Sequence, residues 1–432
     1  MRKILPLFFG ISLAFYGCKT ETNNMEKLNE LATKYVKTGL LIGHYDSDFV
    51  DAYYGPDSLK PVNPAEYLSF PGDILTVKVD SLIDEFRSFI EAESSDSLKS
   101  RANYILAQLV AARERVQIVA GKPTDFDTEA QRLFGVSAPE YDEIHFQKII
   151  DQLEVVLPGN GSLTERYAAL KDRFVIPTEK LDTVMKAAIA EARNQTKKHY
   201  PIPENEHFTL EFVGDKPWSG YNWYKGKYTS LIQINTDFPI SIERVIDVGS
   251  HESYPGHHVY NMLLEENLYN GKGYIETSLY PLFSPQSFIA EGSANYGIEL
   301  AFPGDEKIRF SKEVLLPLAG LDTTGISAYF HALEAVSELN YAGNEVARGI
   351  LNGTMTDDEG VDYLIKYGFY SPEKAAQRIA FTKKYRSYVI NYNYGKDLVK
   401  AYVENGADNE ERVWKNFGTL LSNQILPKDL IP

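Results

Sequence analysis

The chain has 432 residues, with 60 acidic against 44 basic side chains and a formal charge of −16. That balance excludes a nucleic-acid binder, which needs a basic surface, and excludes electrostatic docking on anionic lipid. A single cysteine excludes a disulfide framework, so the fold must rest on an apolar core to which 29 tyrosines and 22 phenylalanines contribute.

The N-terminus opens with Met1-Arg2-Lys3, a short positive region, followed by an apolar run from Ile4 to Tyr16 and then Gly17-Cys18. Such a run is too short for a permanent span and has the layout of a cleaved export signal. Cys18 stands where a bacterial lipoprotein is cleaved and acylated, although Phe15-Tyr16 depart from the Leu and small residue more usual there. The expectation is a signal peptide over 1–17, a lipid-anchored tether over 18–25, and attachment to a membrane of the bacterial cell envelope through Cys18. Loss of Arg2 and Lys3 with the signal takes the charge from −16 to −18.

Helical periodicity comes next. Leu28, Leu31, Ala32, Tyr35 and Val36 form a 3.6-residue stripe within 26–42. Residues 80–92, 101–120, 141–156 and 178–199 repeat that logic, which predicts an N-terminal helical lobe over 26–200. Tyr200-Pro201-Ile202-Pro203 cannot stay helical and marks the start of a second lobe, 201–432. There, 208–213 and 221–235 read as strands, the latter with a Lys225-Gly226-Lys227 turn. Ser241 is placed to cap a helix running through Val245, Ile246 and Val248. Further helices are predicted over 326–351 and 357–367, with a last one from Ser371-Pro372 through 385–394.

That capped helix runs into His251-Glu252-Ser253-Tyr254-Pro255-Gly256-His257-His258. In the zinc-hydrolase pattern His-Glu-x-x-His, two histidines four apart share one helix face and the glutamate reaches the water on the metal. Here the next histidines come six and seven residues after His251, about 9–10.5 Å of rise in an unbroken helix. That is too far for two ligands at about 2 Å from one zinc. Pro255-Gly256 supply the break. With two residues looped out, His257 regains the four-residue offset, whereas His258 would require three to be absorbed. A third ligand is offered by Glu291, a carboxylate among Ile289, Ala290, Gly292 and Ala294, whose small neighbours suggest close packing and hence a need for a partner.

The pairing of His-Glu-x-x-Pro-Gly-His-His with the downstream Glu291-Gly292-Ser293-Ala294 resembles the bacterial family called domain of unknown function 885, grouped with the His-Glu-x-x-His metallopeptidases. Asp51-Ala52-Tyr53-Tyr54-Gly55-Pro56, the stretch from Tyr228 to Asn235, and Tyr392-Asn393-Tyr394-Gly395 add weaker points of likeness. The resemblance implies a mostly helical, zinc-dependent hydrolase acting on peptides, and with the elements above the expectation is a mainly α, two-lobed, gluzincin-like metallohydrolase with a small β-sheet before the metal helix.

On this reading His251, His257 and Glu291 hold Zn²⁺, and Glu252 passes a proton from water to the leaving amine. Tyr392 matches the family's Tyr-x-x-Gly position as oxyanion donor, with Tyr388, Arg386 and His331 as alternatives. Asn295, one turn after Glu291, can orient a ligand. The strand 229–235 is expected to be an edge that pairs with an extended peptide, and Asn235 to hydrogen-bond its backbone. Alternatives are a zinc amidase or esterase on a non-peptide envelope or imported substrate, and a non-catalytic metal-site lipoprotein. Glu252 argues against the last, because a metal held only for binding needs no acid/base beside it.

Overall fold

The computed structural model describes residues 11–431, with side chains from Thr22 onward. Residues 1–10 of the expected export signal therefore lie outside the described residues, and the thiol of Cys18 outside the described side chains. Among the described residues, no helix is long and apolar enough to cross a membrane.

The fold is mainly α-helical, with two small sheets. Strand β1 (Val50–Tyr53) pairs antiparallel with β5 (Leu279–Pro281). The second sheet holds β2 (His207–Val213), β3 (Gly220–Gly226) and β4 (Thr229–Asn235) in the order β2-β4-β3. β4 is parallel to β2 and antiparallel to β3. The stretch expected as a peptide-pairing edge is thus the central strand, with both sides already paired. The edges are β2 and β3. Alternation explains why β4 sits inside, since Ser230, Ile232 and Ile234 all point to the buried face.

Among the described residues, two large apolar cores hold the molecule, beside a small third cluster of Val346, Leu364, Ala375 and Ile379. One gathers Leu28, Tyr35 and Val36 of helix Ile11–Tyr45 with Phe86 and Ile105 of the next two helices, Gly72–Ala92 and Asp96–Val119. The larger takes side chains from both sides of Tyr200-Pro201, from Phe126 and Val184 to Phe288 and Leu421. A buried ion pair links early and late parts of the chain, with Arg101 gripping Glu276 through two bonds of 2.7 and 2.8 Å.

Helix Pro285–Ala301 lies at the centre and is buried nearly all round. Its small residues let a neighbour come close. A Cβ on Gly292 would lie 2.4 Å from the carbonyl oxygen of Gly395, so the backbone of helix Ile390–Glu404 rests directly on it. This contact brings Tyr392 and the preceding turn, with Tyr388, beside Glu291.

Several predicted boundaries moved. The run 326–351 is two helices, Ile326–Ser337 and Ala342–Leu351, joined by one tight turn. What read as a last helix is broken at Arg386, and two more helices follow, Ile390–Glu404 and Glu410–Leu421.

Candidate metal centre

Helix Ile242–Glu252 packs through Ile242, Val245, Ile246 and Val248 and ends at the site. Ser241 occupies the cap position, but its hydroxyl donates to Glu243 at 2.6 Å and makes no side-chain cap bond. After Glu252 the helix stops, and a new one, His257–Leu264, begins. Pro255 cannot donate to the ladder, and Gly256 is forced by contact: a Cβ there would lie 1.9 Å from the carbonyl oxygen of His251. The chain thus folds back on its own helix end, and His257 arrives beside His251.

The two Nε2 atoms face each other at 3.1 Å. Glu291 closes the triangle, with Oε2 at 3.1 Å from His251 Nε2 and Oε1 at 3.7 Å from His257 Nε2. Ligands at about 2.0–2.1 Å around a tetrahedral zinc stand roughly 3.3 Å apart, so the three donors fit that ion. His251 Nδ1 lies 3.0 Å from Oδ1 of Asn295. An amide oxygen only accepts, so Nδ1 carries a proton and Nε2 is the nitrogen that turns either its lone pair or a second proton toward Glu291. Three electron-rich atoms therefore converge where only a proton or a cation relieves their repulsion.

Surrounding groups fix these donors. The amide nitrogen of Asn295 donates to the carbonyl of Tyr392 at 2.9 Å, tying the His251 orienter to helix Ile390–Glu404. The Tyr388 hydroxyl donates to Oε1 of Glu291 at 2.7 Å. His258 belongs to another network, with Nε2 on Glu206 at 2.9 Å and Nδ1 against Ser230 Oγ at 2.8 Å. Glu206 also accepts from Arg193 at 2.7 Å and from the hydroxyl of Tyr254. This carboxylate therefore holds both Tyr254 and His258, on either side of the Pro255-Gly256 loop. Sequence reasoning missed it, because nothing in the Pro-rich segment before β2 marks Glu206 as more than a surface acid.

Burial and charge set the protonation states. Burial alone would lower His251, but the bond to Glu291 and the charge of Glu252 raise it to about 9. His257 goes the other way, since burial outweighs the pull of Glu291 and His251 adds to the drop, to about 4. Burial works against the charge on Glu291, yet His257, His251 and the Tyr388 hydroxyl hold it below its ordinary value. Glu252 is only 5 % exposed, and burial raises it to about 8 against the pull of His251. Among the described residues, nothing hydrogen-bonds its carboxyl group. Its backbone carbonyl is held by Asn222 Nδ2 of β3 at 2.7 Å.

The remaining candidates separate clearly. The Tyr392 ring stacks beside that of His251 at 6.5 Å between centroids. Its hydroxyl has no hydrogen-bond partner among the described residues, whereas that of Tyr388 is committed to Glu291. Arg386 is turned away to the buried Glu129 at 2.7 Å, and His331 is exposed on helix Ile326–Ser337. The Asn235 amide is spent on the carbonyls of Lys216 and Trp218, and its oxygen accepts from the Asp237 N–H. Asp51 on β1 carries no sequence-assigned role, yet it belongs to this neighbourhood. Tyr221 donates to it, and burial, with the charge of Glu291, raises it to about 7 against that bond. Its only sequence signal was membership of the Asp51-to-Pro56 stretch.

No family model matches this chain, and no curated protein matches it. Among solved structures, the chain is similar to a candidate lipoprotein from Colwellia psychrerythraea, at 14% identity and a TM-score of 0.55, over 83% of this chain and 68% of that one. It is also similar to an M32 carboxypeptidase from Deinococcus radiodurans R1, at 11% identity and a TM-score of 0.38, over 91% of this chain and 89% of that one. The first is a likeness of fold. The second is too loose to bear on the site.

Proposed function

We propose that this chain is a zinc-dependent hydrolase of the metallopeptidase kind, carried on the bacterial cell envelope by lipid on Cys18. The observation that carries the reading is the convergence of His251 Nε2, His257 Nε2 and a Glu291 oxygen next to a buried, unbonded Glu252. When bound, zinc supplies Lewis acidity toward a water and toward the carbonyl under attack.

The protein's own groups do the rest. His251 and His257 present lone pairs from either side of the looped-out Pro255-Gly256, and Glu291 contributes the negative charge. Asn295 and Tyr388 hold two of these three in orientation. Glu252 takes a proton from the attacking water and returns it to the leaving nitrogen, so that the carbon–nitrogen bond breaks without expelling an amide anion. Tyr392 is free to donate to the carbonyl oxygen as charge develops there. A protein that only stores or senses metal has no use for an unbonded carboxyl at this position, and Glu252 therefore favours turnover.

The test is metal content and hydrolysis together. The mature domain should hold about one zinc per chain and cleave members of a mixed-peptide library read by mass spectrometry. Glu252→Gln should keep the zinc and lose cleavage. Equal turnover in that variant would sink the assignment.

A further inference from the structure

A second feature lies along the same helix. Arg244, Val248 and Glu252 recur every four residues on helix Ile242–Glu252 and so share one face. Val248 and Arg244 line a partly open cavity of about 80 Å³, together with Trp218, Lys171, Lys374 and Gln377. That volume admits a carboxylate with water. The cavity adjoins the proposed catalytic group through a single residue. A Cβ on Gly220 would lie 2.6 Å from Val248 and 2.8 Å from the Glu252 carboxyl, and Gly220 directly follows Trp218-Ser219 of the lining.

Three cations therefore face one space: Lys171, Arg244 and Lys374. None of them is paired with a carboxylate among the described residues, in a chain with 16 more acids than bases. Arg244 reaches a carboxylate only through its charge, which offsets part of the rise in Glu252, and like charges gathered without a direct ion pair persist where an anion joins them. Burial, with Arg244 and Lys171 adding to it, pulls Lys374 down to about 8. A fourth cation continues the series. Arg378, one turn after Lys374, has a buried Nε without a partner, and its charge offsets part of the rise that burial and Glu291 impose on Tyr392.

We propose that this cavity binds a carboxylate of the substrate, with Arg244 and Lys374 as the ion-pairing groups, and so sets which bond is presented to Glu252. Arg244 and Glu252 are separated by about 12 Å of helix rise, the reach of roughly three to four residues of extended chain. The anchored group is thus the free C-terminus of a short peptide or an acidic side chain a few residues from the cleaved bond. Guanidinium recognises such a group through two parallel hydrogen bonds. This inference rests on the hydrolase reading, and its test keeps the two apart.

Synthetic peptides of four to eight residues are offered in three forms: free acid, C-terminal amide, and amide with an internal Asp. Binding to Glu252→Gln is read by Trp fluorescence and calorimetry, and turnover by the wild type. Free acids should bind and react about tenfold better than amides, with the difference in KM. Arg244→Gln and Lys374→Gln should each draw the acid-to-amide ratio towards one, and Arg244→Lys should restore part of it. Recovery by the internal Asp assigns the anchor to a side chain, and failure to recover assigns it to the C-terminus. Acid-selective binding that depends on Arg244, without turnover, upholds the cavity and removes the hydrolase. Cleavage indifferent to acid or amide, and unaltered in selectivity by both variants, overturns the cavity and leaves the hydrolase standing.

Discussion

Glu206 accepts from Nε2 of His258 at 2.9 Å, which withholds that ring from His251 and leaves His257 alone to face it. The adjacent histidines therefore do different work. His257→Ala should abolish zinc retention on dialysis. His258→Ala should weaken zinc binding only about 10–100-fold, by loosening the loop that Glu206 holds. It should also cost about 2–4 kcal/mol of stability, since it leaves a buried carboxylate short of a donor and a cavity beside it. Zinc content and urea unfolding on both variants decide the ranking, and the reverse order would assign the ligand to His258.

Glu291 is the charged member of the proposed donor set, and Tyr388 steadies it through a 2.7 Å bond. Glu291→Gln replaces the carboxylate with a poor ligand and should leave the domain nearly free of zinc. Tyr388→Phe removes one hydrogen bond and no ligand, so affinity should fall by about 10–100-fold while the stoichiometry at saturating zinc stays at one. Full occupancy in Glu291→Gln after dialysis would remove that residue from the metal.

Gly256→Ala tests the loop itself. The added methyl would sit 1.9 Å from the His251 carbonyl, and the atom it meets is backbone that cannot swing aside. Overpacking of this kind costs about 1–3 kcal/mol, and here relief comes only by moving the helix end that carries His251. Both the urea midpoint and zinc retention should drop. A variant with wild-type zinc affinity would show that the His251–His257 approach does not depend on this contact.

The convergence of His251, His257 and Glu291 was legible because its constraints are local. An offset of six residues with Pro-Gly inside it dictates a looped-out helix, and Glu291 stands out as the one acid in a run of small apolar residues. Groups that depend on distant chain segments were not legible. Glu206 acts on residues 48 and 52 positions away, and no periodicity connects them. β4 shows a clear alternation, but the pattern says which face is buried, not that β2 runs parallel along one side. The helix break at Arg386 has a backbone φ of 57°, a conformation non-glycine residues seldom adopt. It is stabilised by Glu129, 257 positions earlier, which takes the Arg386 guanidinium and the Ser387 hydroxyl.

The lipid anchor is tested at the thiol. Cys18→Ser should yield a protein that fractionates as soluble or keeps its unprocessed signal, since only a thiol there can be acylated. Fractionation, with mass spectrometry of the wild-type N-terminus, checks it. Unchanged membrane association with no lipid mass would refute the anchor.

Lys374 provides a pH test of the cation cluster. It lies half-buried on helix Pro372–Tyr385 over the ring of Phe238 at 4.0 Å, facing Arg244 of helix Ile242–Glu252 and Lys171 of helix Leu163–Asp172. Burial and then those two charges bring it from 10.5 to about 8 in the folded chain. Between these values the unfolded chain binds the extra proton, so this group makes stability rise with pH across that window. Below about 8 both states are protonated and the penalty is at its full value. Lys374→Gln removes the penalty. The variant should therefore be more stable than wild type at pH 7, and the gap should close as pH rises through 8 towards 10.5. Urea midpoints of the two proteins, compared at each pH, cancel the other titrating groups. A gap that does not change with pH would mean that Lys374 is not strained by its neighbours.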